Sequence, residues 1–295
     1  MQALWMVLGA FWFATMAVGI KFASHSFSTA ELVFYRGLVS VLFMAIVVRA
    51  RGVQLRTTLP MMHLWRSAVG VMSLGLWFYA IAHLPLATAM TLNYMSAVWV
   101  AAFVVGGALL YGNAQNQGPL LGTVMLGFVG VAMTLQPTIG QDQLFAGVLG
   151  LLSGMSAALA YVQVGALGRL GEPEERTVFY FSIGTALAGG MGMLFTNITP
   201  WAQVRWQDAA WLVPIGVFAS LGQWCMTRAY RQGATLVVAS LQYSGIVFSV
   251  AYGLWLFEDH MSTVSWLGMG VIVISGILAT LLRQRAMPKL PVAGH

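Results

Sequence analysis

Two short stretches set an amide beside a phenol: Leu92-Asn93-Tyr94 and Leu241-Gln242-Tyr243. At helical spacing Asn93 shares a face with Ser96 and Val100, and Gln242 shares one with Gly245 and Ser249. Each segment therefore carries a single polar stripe through apolar surroundings. The chemistry open to such a stripe is hydrogen bonding. It serves either as glue between membrane helices, where Ser, Asn and Gln bond across the contact, or as the lining of a neutral polar cavity. Recurrence of the pair in both halves of the chain favours the cavity.

Aromatic groups accompany the stripes. Trp12, Trp77, Trp99 and Trp224 lie in the middle of apolar segments, away from the interfacial positions that Trp favours. Trp99 points about 120° from the Asn93 stripe and reads as packing or lipid contact. Trp12 and Trp224 are cavity candidates, as is Tyr161. Tyr79 and His83, four residues apart, share a helix face; His83 is either a structural turn residue or the group best placed to sense pH. The expected substrate-binding set is Trp12, Tyr79, His83, Asn93, Tyr94, Ser96, Tyr161, Trp224, Gln242, Tyr243 and Ser249. Arg36 is a basic residue well inside an apolar segment, which marks a functional site unless its side chain snorkels to the interface or pairs with Glu31.

The elements that position these groups follow from composition. Of 295 residues 59% are hydrophobic and 7% charged, with mean hydropathy +0.80, whereas a soluble domain carries about 25% charge. The chain is therefore an integral membrane protein, its surface solvated by lipid. A single Cys225 excludes an intramolecular disulfide. The net charge of +6 does not signal nucleic acid, because the basic residues fall in short loops between apolar spans. The amino terminus has no basic region or cleavage signal, so residues 3–20 read as a retained first helix.

Spans free of acid and base occupy residues 3–20, 118–135, 144–168, 177–196, 209–227, 232–257 and 261–282, and 32–48 adds one containing Arg36. Residues 67–110 would run about 66 Å as one helix, twice the hydrocarbon thickness of about 30 Å, so they fold back at His83, Leu84 and Pro85. Ten transmembrane helices result. With a cytoplasmic amino terminus, Arg49, Arg51, Arg56, Arg66, Arg169, Arg176, Arg228, Arg231, Arg283, Arg285 and Lys289 lie on the cytoplasmic side, against Lys21 and Arg205 outside. Both termini are thus expected in the cytoplasm.

The halves repeat. Residues 121–135 and 267–281 share Leu121/Leu267, Gly122/Gly268, Gly130/Gly276, Thr134/Thr280 and Leu135/Leu281, and Phe34-Tyr35 recurs as Phe179-Tyr180 after Glu31 and Glu175. Five helices per half is an odd number, so the second copy enters the membrane from the opposite side. The predicted architecture is all-α and polytopic, with residues 1–140 and 141–285 as inverted five-helix repeats and 286–295 as a cytoplasmic tail. Inverted repeats suit alternating access around a site near the midplane.

Three stretches carry a family resemblance: Arg36 early in the second helix, "LGLWFYAIAHLPLATAMTLNYMSAVW" over 74–99, and "WLFEDHMSTVSWLGMGVIVISGIL" over 255–278. On these the chain resembles the drug/metabolite transporter superfamily in its EamA-domain branch. That family frequently places a Glu ten residues before the Gly of each domain's final helix; Glu258 fills the place before Gly268, while Gly112 stands before Gly122. The family's mid-helix Pro is replaced by Ser96-Ala97 and Gly245-Ile246, which puts any gating break there in question. "LNYMSAVW" is similar to the YddG-like exporters of aromatic and other neutral amino acids.

Absences narrow the function. No acid falls in the middle third of any span, which argues against an exchanger of protons for cationic drugs, and Arg36 alone is thin provision for a phosphate. A membrane enzyme would need an acid/base or metal constellation, and "FEDH" at 257–260 is the nearest approach; it reads as a turn. The expectation is a monomeric, cofactor-free inner-membrane exporter of neutral, aromatic or bulky amino acids, in contact with lipid and a neutral or zwitterionic solute. Other small neutral metabolites or drugs are the alternative, ahead of a membrane enzyme or a non-transporting scaffold.

Overall fold

A computed structural model describes residues 2–84, 86–110, 118–136, 143–196, 198–256 and 262–286; Gly112 and the Glu258 turn lie outside them. Among these residues every long element is helical. They are α1 (Trp5–Ala23), α2 (Thr29–Ala50), α3 (Pro60–His83), α4 (Leu86–Tyr94), α5 (Ser96–Leu110), α6 (Gly118–Leu135), α7 (Leu144–Arg169), α8 (Glu174–Met193), α9 (Trp206–Ala210), α10 (Leu212–Gln232), α11 (Thr235–Gln242), α12 (Ser244–Leu256) and α13 (Thr263–Ala286). A single residue separates α4 from α5, α9 from α10 and α11 from α12, so the thirteen helices form ten rods. By length and composition seven segments can cross a bilayer: Gln2–Ala23, Thr29–Ala50, Ala89–Gly107, Gly118–Leu135, Leu144–Arg169, Trp206–Gln232 and Thr235–Leu256. The chain is a polytopic all-helical membrane protein.

Local chemistry sets several boundaries. Ser28 and Glu31 cap α2 reciprocally, side chain to backbone in both directions, and Pro60 opens α3 where its missing N–H costs nothing. The fold-back at His83 is present, with α3 ending there and α4 starting at Leu86. The breaks after α4 and α11 fall at Met95 and Tyr243, next to the positions where proline was missed. Backbone bonding continues through them: Met95 N–H reaches Thr91 O at 3.1 Å, and Tyr243 N–H reaches Ser240 O at 3.3 Å in a tighter, three-residue turn. An interruption there does not require proline.

Packing joins the two ends of the sequence. The most extensive contacts are α2 with α8, α6 with α13, α3 with α7 and α1 with α10, each uniting a helix before residue 140 with one after it. Lipid offers no hydrophobic drive between helices, so small residues and close approach hold such contacts. A Cβ at Gly37 would run into the Ala186 backbone, and one at Gly189 into the Phe34 backbone. Within the similar stretches 121–135 and 267–281, a Cβ on Gly130 would lie 2.8 Å from Gly268 O and one on Gly268 would lie 2.7 Å from Gly130 O. Outward faces are apolar, as Leu42, Ile46, Leu187, Val213, Leu267 and Ile274 show by their exposure.

Each end of the bundle is tied by carboxylates. On the end formed by the α2–α3 and α7–α8 loops, Glu175 pairs with Arg51 at 2.8 Å, Glu174 with Arg231 at 2.7 Å and Glu172 with Arg176 at 2.9 Å. Glu172 also accepts from Thr57 at 2.6 Å and lies 3.2 Å from His63 Nε2. On the opposite end Glu31 accepts the Thr199 N–H and hydroxyl at 2.9 and 3.0 Å, and Asp208 accepts from Ser26 at 2.6 Å. Burial alone would raise the Glu172 carboxyl. Bonds from Thr57, Arg176 and His63, with the Arg176 charge, outweigh burial and hold it below the ordinary 4.5.

Two outcomes follow for stability. Gly37→Leu should cost about 1–3 kcal/mol or more by forcing α2 from α8, read as a lower melting midpoint in detergent, whereas Gly75→Leu, with no neighbouring atom within 4 Å of its Cβ, should leave the midpoint unchanged. Glu172→Gln should cost about 1–3 kcal/mol at pH 7. A carboxyl depressed in the fold contributes its stability above its ordinary value and loses it as pH falls through the folded one. The melting difference between variant and parent should therefore shrink below pH 4.5.

Candidate functional site

The polar stripes meet other helices. Gln242 on α11 donates from Nε2 to Ser96 Oγ on α5 at 3.0 Å and accepts from the Tyr230 hydroxyl on α10 at 3.4 Å. Asn93 on α4 donates from Nδ2 to Ser153 Oγ on α7 at 3.3 Å, and Ser153 in turn donates to Gly150 O at 2.6 Å. Both amides are thus engaged in interhelical bonds. Tyr94 and Tyr243 approach each other with ring centroids 6.4 Å apart. Tyr243 is wholly buried against Gly127 and Ser275, and its hydroxyl has no partner among the described residues. Tyr94 hydroxyl lies over Gly245, where a Cβ would come within 2.7 Å of it.

The remaining expected residues disperse. Tyr161 stacks on Tyr230 at 5.5 Å and so joins the Gln242 network. Trp12 stacks on Phe218 at 5.4 Å. Ser249 is half-buried on α12 and makes no hydrogen bond to the amides. Trp224, expected mid-membrane, instead donates from Nε1 to Glu175 at 3.3 Å and lies under the Arg51 guanidinium at 5.0 Å, within the carboxylate ties at one end of the bundle. Tyr79 and His83 stack on each other at 4.1 Å, both exposed, with Phe145 6.0 Å from Tyr79. The pairing of side chains with near neighbours draws these two groups away from the amides.

A cavity forms elsewhere. It lies among α2, α8 and α10 and is lined by Arg36, Gly37 and Ser40, by Phe181, Ser182 and Thr185, and by Ala219, Ser220 and Gln223. None of the eleven expected residues lines it. Its space is narrow, with room for about one water molecule. Arg36 is 5% exposed, so it neither snorkels outward nor pairs with Glu31, whose oxygens are engaged by Ser28 and Thr199. Adding 145 to 36, 37 and 40 gives 181, 182 and 185, so α2 and α8 line the cavity with residues at the same spacing.

Arg66 corrects a second expectation. The sequence places it among loop charges, but it lies two turns into α3 and is 3% exposed. Its Nη2 donates to Gln223 Oε1 at 3.2 Å, and its guanidinium covers the Phe181 ring at 3.9 Å, so it reaches two of the lining residues. Nε and Nη1 have no hydrogen-bond partner among the described residues. Tyr161 and Arg36 both lie within electrostatic reach of it. Apolar residues follow Arg66 for the rest of α3, and that pattern marks a helix start near 67 only if the charge is assumed to face water. Its distance from the helix start, with Pro60 as the opening signal, is the cue that would have found it.

Comparison with known proteins agrees with the architecture. Residues 1–136 match the model of the EamA-like transporter family. The chain is 31% identical over 274 residues to the pseudopaline exporter CntI of Pseudomonas aeruginosa, covering 92% of this chain and 93% of that one. It is 27% identical to a transporter of Helicobacter pylori, covering 91% of both, and 24% identical to a riboflavin transporter of Rhizobium johnstonii, covering 93% and 89%. A solved crystal structure superposes with TM-score 0.82 over 96% of this chain and 99% of that chain at 17% identity, a likeness of fold. With ten helical rods and relatives that match across nearly their whole length, the chain belongs to the EamA-like transporter family of the drug/metabolite transporter superfamily.

Proposed function

We propose that this transporter exports small amino-acid-like metabolites across the inner membrane by exchange between two inverted five-helix halves, residues 1–140 and 141–285, with both termini cytoplasmic. The observation that carries the reading is the lining of the cavity, where Arg36, Gly37 and Ser40 of one half meet Phe181, Ser182 and Thr185 at the same spacing in the other. A site on a pseudo-two-fold axis draws on equivalent positions of both repeats. The helix pairing supports the same axis: numbered within each half, α2 with α8 is second with second, and α6 with α13 is fifth with fifth. The packings α1 with α10 and α3 with α7 are first with third and third with first.

The carboxylate ties at each end then act as alternate closures, and the narrow cavity between them accepts a solute only when α2, α8 and α10 separate. Export is the direction named for the Pseudomonas aeruginosa relative, and the substrates named for the relatives are small metabolites. In this reading Gln242 bonded to Ser96, with the Tyr94 and Tyr243 rings packed nearby, joins α4/α5 to α11/α12 where the rocking halves meet, while Asn93 bonds to Ser153 and Tyr161 stacks on Tyr230. Arg176 and Lys-free α7–α8 carboxylates flank the cytoplasmic closure in the orientation that the basic residues favour.

Proteoliposomes preloaded with labelled phenylalanine, tryptophan, leucine or glutamate test the reading. At least one should leave faster than from protein-free vesicles. Cross-linking cysteines at positions 57 and 172 with a short bismaleimide, in a Cys225→Ser background, should reduce that flux at least tenfold relative to the same double-cysteine protein before the reagent is added. Absence of flux for every amino acid would remove the substrate class; undiminished flux in the cross-linked protein would remove the alternating closure.

A further inference from the structure

Arg36 and Arg66 are two cations set beside one cavity with no anion among the described residues to balance them. Of the eight acidic residues, five are described, and each is engaged elsewhere: Glu31 with Ser28 and Thr199, Glu172 with Thr57, His63 and Arg176, Glu174 with Arg231, Glu175 with Arg51 and Trp224, and Asp208 with Ser26 and Arg205. Burying an unpaired ion costs several kcal/mol even after relaxation, and two like charges repel as well. Such an arrangement persists where a ligand supplies the missing charge. The Arg66 guanidinium is pre-set, held between the Phe181 ring and Gln223 while Nε and Nη1 have no partner among the described residues.

The other lining groups add a complementary surface. Ser40 and Ser220 both donate to Gly216 O, at 3.0 and 2.9 Å, Ser182 donates to Val178 O at 2.8 Å and Thr185 to Phe181 O at 2.9 Å. With their protons directed at backbone carbonyls, these four hydroxyls present lone pairs to the cavity, which suits N–H groups of a solute. Donors are thus concentrated on the two arginines and acceptors on the hydroxyls.

We propose that Arg36 and Arg66 form a carboxylate-binding site whose transported solute carries net negative charge, an acidic amino acid or a similar N–H-bearing organic acid rather than a neutral one. A planar guanidinium matches the two oxygens of a carboxylate, and two of them leave a cavity charge that a zwitterion, with its own cation, does not cancel. The proposal deepens the reading of the chain as an exporter of amino-acid-like metabolites, on which its transport arm rests; its binding arm stands without flux.

The test measures ligand-dependent melting of the purified, full-length protein in detergent at constant ionic strength, with L-glutamate, L-phenylalanine, inorganic phosphate or sodium chloride as probes. Glutamate should raise the midpoint and phenylalanine should not. Apparent glutamate affinity should fall at least tenfold in Arg36→Gln and in Arg66→Gln and recover in part in Arg66→Lys. Without ligand, Arg36→Gln should melt no lower than the parent, because it removes an unbalanced charge; a clearly lower midpoint would make Arg36 structural and overturn the site. Stabilisation by phosphate with none by glutamate would overturn the carboxylate, and equal or stronger stabilisation by phenylalanine would overturn the net charge. No response to any probe would overturn the site altogether. Glutamate binding that survives in a protein moving no amino acid would sink the transport reading and leave the site standing.

Discussion

Everything in this bundle depends on how closely α2 and α8 approach. A membrane gives helices no hydrophobic reason to associate, and their own backbones are already hydrogen-bonded, so contact must come from shape. Gly37 and Gly189 remove the two side chains that would hold the backbones apart. That contact fixes the walls of the Arg36 cavity, because Gly37 is itself a lining residue and its neighbours Arg36 and Ser40 project from the same turns. It also sets where Glu31, at the start of α2, meets Thr199 beyond the end of α8. One close approach therefore positions both a buried cation and a tie at one end.

Charge burial in lipid is rarely neutral with respect to mechanism. Arg36 and Phe181 face the same cavity from α2 and α8, a cation beside an aromatic face. The Phe181 ring in turn carries Arg66, a contact that stabilises a guanidinium by about 0.5–2 kcal/mol when desolvated. Arg66 lies within electrostatic reach of Tyr161, and from Tyr161 contacts continue through Tyr230 to Gln242 and Ser96 on the interrupted rods α11/α12 and α4/α5. His63, one turn before Arg66, joins the same helix to Glu172 at the end of the bundle.

Helix number and limits were legible because lipid demands long apolar runs: residues 118–135 are α6 to the residue, and the fold-back at His83 follows from length alone. The candidate site was less legible. Tyr94 and Tyr243 approach each other and Gln242 reaches Ser96, whereas Asn93 bonds to Ser153 on α7, because each amide takes the polar partner that a neighbouring helix offers. Trp224 bonds to Glu175 within the ties at one end of the bundle, and His83 stacks on Tyr79, with which it shares a helix face; spacing along a helix gives the shared face but not which neighbouring group that face meets. Arg66 was hidden by a counting rule. Treating every basic residue beside an apolar run as solvated assigns it to a loop, and only the start of α3 at Pro60 reveals that it is carried inside.

The two ends of the bundle are fastened by different physics. At one, carboxylates meet Arg51, Arg176 and Arg231; at the other, the contacts between elements are neutral hydroxyl and amide donors to Glu31 and Asp208. Dissolved ions screen exposed charge pairs more than they weaken bonds that uncharged donors make to a buried carboxylate. A rise in salt therefore weakens the ties at the Arg51, Arg176 and Arg231 end more than those at the Glu31 and Asp208 end, so the two ends of the bundle differ in their sensitivity to the surrounding electrolyte.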